Sequence, residues 1–280
     1  MTATQPSATG PGGTDRSGVD RISVDPVATE PNALRDTWSV FTRELRPVRR
    51  DPFTLIFSLL QPIVFLGLFG PLLIGGSPLP PAETLQWFVP GILVMIALFG
   101  VGVTGSNLLY EMQTGSHERT LVAPIARSSL LIGRALKEMA PITVQALVVT
   151  LVALPFGFSV NPAGMFAGLV LLALFGLGFG ALSYALALAS RNRDWLFWGV
   201  QQATIFPLMI LSGMLLPLEN GPGWMQVAAA FNPLSYVVAA ERALFAGDLG
   251  SPDVLWGFVS AIILAIVGLA IGIRGIKKSH

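Results

Sequence analysis

The sequence predicts an all-α integral membrane protein. It has six transmembrane helices with cytoplasmic termini, an N-terminal amphipathic interfacial helix, and a re-entrant outer helical hairpin before the last span. Three observations predict this. The 280 residues are 52% hydrophobic and 12% charged, against about 25% charged in soluble domains. The mean hydropathy is +0.67. The Lys and Arg residues fall in blocks between every second apolar run.

Residues 1–31 are rich in Thr, Ser, Gly and Pro, without apolar periodicity. They bury too little surface to offset ordering entropy and read as a disordered cytoplasmic tail. A basic start followed by an apolar block, the mark of a signal peptide, is missing. Over 32–50, Leu34, Trp38, Phe41, Leu45 and Val48 recur at steps of four and three, with Arg35, Asp36, Arg43 and Arg46 opposite. That is an amphipathic helix, lying either in the membrane plane or against other protein. Pro47 and Pro52 bracket the turn that follows.

The transmembrane domain covers 51–278. A spanning helix needs about 20 apolar residues, and six stretches qualify: about 53–74, 88–109, 139–158, 163–190, 198–216 and 254–273. Orientation follows from charge. Of 17 Lys and Arg residues, all but Arg242 precede the first span, separate spans two and three or four and five, or follow the sixth. The positive-inside rule then puts both termini in the cytoplasm of a multi-pass plasma-membrane protein. On the outer side, residues 217–253 hold two apolar or amphipathic stretches split by Asn232-Pro233. Those read as a re-entrant hairpin over about 221–247, which survives at membrane depth only where protein or a water-filled cavity satisfies its backbone. For Glu241 and Arg242 in that hairpin, the readings are a headgroup anchor, a pair with Asp248, or a substrate contact.

Composition also excludes chemistry. The chain has no cysteine and two histidines, one of them His280, so thiolate chemistry is excluded and no metal site is expected. GxxxxGK[ST], HExxH and GxSxG are all absent. The spans contain essentially no ionisable residue: Glu111 and Glu138 fall at inner ends, Glu219 and Asp253 at outer ones. Ion-coupled pumps place such groups inside their spans. No catalytic residue is expected, and any work draws energy from outside the bilayer.

Energy then enters through a loop, and Tyr110–Lys137 is the foremost candidate. Its first third leaves span two, and its last third, from Ser128, starts span three. The link holding Arg191, Arg193 and Asp194 is a secondary contact. Within the spans, the neutral polar residues Gln61, Asn107, Gln145, Tyr184, Gln201 and Gln202 serve either as helix–helix bonding groups or as the lining of a solute route. The pairs Gly164/Gly168, Gly176/Gly180 and Gly268/Gly272 permit close helix contact, within the bundle or across a homodimer.

Two segments carry a resemblance. GSHERTLVAPIARSSLLIGRALKE, 115–138, and FNPLSYVVAAERALFAGD, 231–248, together with the topology of 32–278, resemble the membrane subunit of type-2 ABC exporters, nearest the daunorubicin-resistance-like permeases. The resemblance implies a permease that binds no cofactor itself. It would work as a dimer of permease subunits, homodimer favoured, with a cognate pair of ABC ATPase subunits that bind ATP and Mg. It further implies a coupling helix seated in the ATPase, about His117, Glu118, Arg119, Leu121 and Val122, ended by Pro124. Membrane lipids and a small amphipathic or hydrophobic substrate are the other expected partners, and nucleic acid is not one. Export of a polysaccharide or glycolipid, or an energy-independent scaffold or immunity role, are the alternatives.

Overall fold

The computed structural model describes residues 38, 41–42, 52–114, 127–191 and 193–278. The coupling residues His117, Glu118, Arg119, Leu121, Val122 and Pro124 lie outside these, as does most of 32–50. Trp38, Phe41 and Thr42 are helical, with the Trp38 and Phe41 rings 5.4 Å apart.

Every described element is helical. In chain order they are α1 (Pro52–Gly76), α2 (Pro81–Gln113), α3 (Arg127–Ala153), α4 (Pro162–Ala189), α5 (Asp194–Ile210), α6 (Gly223–Ala230), α7 (Pro233–Ala246) and α8 (Pro252–Lys278). Among the described residues, α1, α2, α3, α4 and α8 are long and apolar enough to cross a membrane. The fifth expected span, 198–216, is instead a helix of 17 residues that begins at Asp194 and ends at Ile210. At 1.5 Å per residue it reaches about 25 Å, short of a hydrocarbon core of about 30 Å.

The centre of the bundle is α2. Of its apolar window 83% is buried, against 17% for α1 and 22% for α8, because α2 is apolar on all faces and packs on α1, α3, α4, α5 and α7. Phe88, Ile92, Met95 and Val101 of α2 meet Ile142 and Val149 of α3, Leu171 and Phe175 of α4, and Val237 and Leu244 of α7 in one core. Lipid tails are as apolar as leucine, so close contact rather than water exclusion holds such helices together. The glycines supply it. A Cβ at Gly164 would overlap the Leu244 carbonyl, and one at Gly268 would overlap that of Gly178. Gly176 faces Val101 and Met139. These contacts are all within one chain, which settles for those glycines the choice that spacing leaves open.

Asn-Pro starts two helices. Asn161 Oδ1 accepts from Ala163 and Gly164 N–H at the head of α4, and Asn232 Oδ1 from Leu234 N–H at the head of α7. In each the proline takes the first helical position, where no donor is needed. Gly247, at φ 86°, ends α7 in the left-handed conformation.

Candidate functional site

Two polar assemblies stand out, one at each end of the bundle. At the loop end, where α2 runs towards residues 115–126, Arg134 of α3 pairs with Glu111 of α2. The Arg134 side chain is 6% exposed and that of Glu111 23%. Arg134 also lies 5.6 Å from the Tyr184 ring of α4 and donates weakly to its hydroxyl at 3.5 Å. One turn along α3, buried Glu138 accepts from Asn107 Nδ2 of α2 at 3.2 Å and from Lys137 Nζ at 3.1 Å. Glu111, Arg134, Asn107 and Glu138 therefore clamp together the two helices that flank 115–126. Beside the clamp, Gln113 Nε2 donates to Asp194 Oδ2 at 2.6 Å. Arg191, Arg193, Asp194 and Trp195 line a cleft of about 450 Å³ there, with Leu109, Met112 and Gln113.

At the opposite end, Asn232 and α7 partner the end of the short α5 and the segment after it. A helix leaves its last carbonyls without partners; here the head of α7 takes up that of Leu208, and α7 side chains bind two more carbonyls just past the helix. Asn232 Nδ2 donates to Leu208 O at 2.8 Å, Ser235 Oγ to Leu211 O at 3.0 Å, and Arg242 Nη2 to Gly213 O at 2.8 Å. Gly213 itself has φ 72°, a conformation open to glycine without strain, and it turns the chain away from the helix axis. This accounts for the stop at Ile210 instead of Leu216.

Arg242 reaches further. Its Nε donates to Trp87 O at 2.9 Å, and its guanidinium stacks 3.9 Å from the Trp87 ring centre. It thus ties α7 to both α2 and the segment just after α5. Burial pushes Arg242 down to about 10, against an opposing upward pull from Glu219, so it stays protonated at neutral pH. Gln86 adds a further tie, donating to Ser159 O at 3.2 Å and Phe245 O at 3.0 Å while accepting from Ser159. Glu241 points elsewhere: it is fully buried against Gly168 of α4.

The six route candidates do not converge. Gln61 and Gln145 line a cavity of about 190 Å³ between α1, α2 and α3, where Gln145 Nε2 donates to Ser58 Oγ at 2.6 Å. Asn107 and Tyr184 belong to the charge clamp. Gln201 is buried with its amide against Gly102, and Gln202 is exposed. Three contributors escaped the sequence reading: the burial of Arg134 and Glu138, the capping role of Ser235, and the tie made by Gln86. The four-residue step from Arg134 to Glu138 places both on one helix face, a signal that was readable.

A family model described as ABC-2 type transporter matches residues 35–246. The chain belongs to the ABC-2 type transporter family. It is similar to the daunorubicin resistance ABC transporter permease protein DrrB1 of Streptomyces coeruleorubidus, 26% identical over 239 residues, covering 85% of this chain and 83% of that one. It is 30% identical over 240 residues to the probable doxorubicin resistance ABC transporter permease protein DrrC of Mycobacterium tuberculosis (strain CDC 1551 / Oshkosh), with 80% of this chain and 83% of that one covered. The probable multidrug ABC transporter permease YbhR of Escherichia coli (strain K12) is 29% identical over 182 residues, 63% of this chain and 48% of that one. A multi-pass membrane permease follows from the family and the apolar helices.

Proposed function

We propose that this chain is the permease subunit of an ATP-driven exporter that moves an amphipathic or hydrophobic compound out of the cell. A separate pair of ATPase subunits hydrolyses ATP with Mg, and two permease subunits assemble side by side. The chain crosses the plasma membrane six times with both termini in the cytoplasm, α5 and the capped segment to Pro217 making the fifth crossing. The loop end then faces the cytoplasm and the hairpin end faces out.

The observation that carries this reading is the clamp of Glu111, Asn107, Arg134 and Glu138. It makes α2 and α3 one lever with residues 115–126 at its tip. A push on that tip tilts both helices together, the rigid-body kind of switch. The coupling contacts are His117, Glu118, Arg119 and Leu121, with Arg191, Arg193 and Asp194 beside the cleft as a second seat. Relatives named for daunorubicin, doxorubicin and multidrug transport support a small-molecule cargo.

The test is co-purification of the tagged chain from its native membrane. An ABC ATPase is expected to come down with it and to turn over ATP faster in its presence. Purification without any ATPase contradicts the proposal.

A further inference from the structure

Glu241 is the one carboxylate among the described residues with 0% exposure and no partner for either oxygen. It sits in the middle of α7, where that helix crosses α4 at Gly168. A Cβ at Gly168 would crowd Oε2 and lie 3.2 Å from the carboxyl carbon, so the glycine makes the space the carboxyl occupies. No countercharge faces it from any packed element. α4 and α6 carry no Asp, Glu, Lys or Arg. On α2, Glu83 is exposed in the first turn and Glu111 lies at the far end. On α8, Asp253 is exposed in the first turn, and Arg274, Lys277 and Lys278 are at the far end. Its neighbour Arg242 is engaged with Trp87 and Gly213. Sealing an ionised carboxylate without a partner is far costlier than sealing the neutral acid.

We propose that Glu241 is a proton-binding site of the hairpin gate: the closed gate holds it as the neutral acid against Gly168, and withdrawal of α7 from α4 releases that proton to water. The O–H bond breaks as the carboxyl meets solvent, and water takes the proton. The withdrawal step rests on the transport reading above; protonation of the closed form does not.

Burial pushes the Glu241 carboxyl from 4.5 up to about 8. The closed form therefore binds a proton that the open form lacks between these two values. Raising the pH through that window favours opening, about tenfold in the open-to-closed ratio per unit for one proton. Above about 8 both forms are ionised and the dependence ends.

Infrared spectroscopy of the purified chain in lipid vesicles reads the acid directly. At pH 7 the wild type is expected to show a protonated-carboxyl band that is absent from Glu241→Gln, shifted in Glu241→Asp, and kept in Glu83→Gln. The wild-type band is expected to fade as the pH passes about 8. A band unchanged in both Glu241 variants overturns the proposal, and so does a wild type without one. The Glu241→Asp variant and the wild-type titration keep the test decisive if Glu241→Gln does not fold.

The gate is read separately. Because the chain has no cysteine, Met165→Cys, about one turn from Gly168 on α4, supplies a single reporter for an impermeant maleimide. Maleimide reacts with the thiolate, so labelling is read at each pH as the ratio of the Met165→Cys chain to the same chain carrying Glu241→Gln; that ratio is expected to rise about tenfold per pH unit between pH 5 and 8. A ratio that stays flat removes the gating step while leaving the proton site standing.

Discussion

The side-chain amide of Asn232 closes the end of a helix 24 residues earlier: its Nδ2 lies 2.8 Å from the Leu208 carbonyl while its Oδ1 caps α7. One residue thus ends α5 and begins α7. Replacing it with alanine removes an N-cap, about 1 kcal/mol, and leaves a carbonyl unpaired, about 1–3 kcal/mol. Asn232→Ala is expected to lower stability by about 2–4 kcal/mol in thermal unfolding of the solubilised chain. Asn232→Asp keeps the cap and loses the Leu208 bond, so at least half of that loss is expected to persist.

Arg242→Lys tests the fork that spans α2, α5 and α7. Lysine keeps the charge but cannot reach Trp87 O and Gly213 O in one plane while stacking on the Trp87 ring. A loss of about 1.5–3 kcal/mol, the size of one charge-assisted hydrogen bond, is expected. Thermal unfolding measures it, and an unchanged midpoint for Arg242→Lys would show that the fork is not what holds the hairpin.

The charge clamp yields a double-mutant cycle. Breaking a fully buried pair by removing one partner costs about 3–5 kcal/mol, and less here, since Glu111 keeps 23% exposure. Glu111→Gln and Arg134→Leu are each expected to destabilise the chain, and the double variant by less than their sum, with a coupling of about 0.5–3 kcal/mol. Additive effects would mean that the two side chains act independently.

Much of the fold was legible because it rests on local signals. Apolar runs mark α1 to α4 and α8, and Asn232-Pro233 marks the break between α6 and α7. The end of α5 was not legible. Its apolar run continues to Leu216, and the groups that stop it, Asn232, Ser235 and Arg242, lie 24 to 29 residues on. Nor was the site wholly legible. Asn107 and Tyr184 read as neutral polar residues that serve either as helix–helix bonding groups or as a route; they bond between helices here, to Glu138 and Arg134 on a neighbouring helix, partners that spacing alone does not name. Glu241 and Arg242 are adjacent in sequence, yet successive residues of a helix point about 100° apart, and these two end up in different contacts.

The helix crossings give a contrast among glycines. Gly164→Ala and Gly268→Ala push a methyl into backbone carbonyls of α7 and α4, whereas Gly67 and Gly199 have open space. Overpacking costs about 1–3 kcal/mol or more. The first two are expected to reduce the yield of folded chain and the last two to leave it unchanged, as size-exclusion profiles of solubilised protein would report. Equal behaviour of all four would contradict the packing described.

The central claim is that ATP hydrolysed by a partner moves this chain through the loop between α2 and α3. The most direct measurement is ATP turnover by the cognate ATPase pair in liposomes, without the chain, with the wild type, and with Leu121→Asp. Turnover is expected to rise with the wild type and to fall back towards the level without the chain with Leu121→Asp, although the variant still inserts. The same turnover in all three would contradict the account.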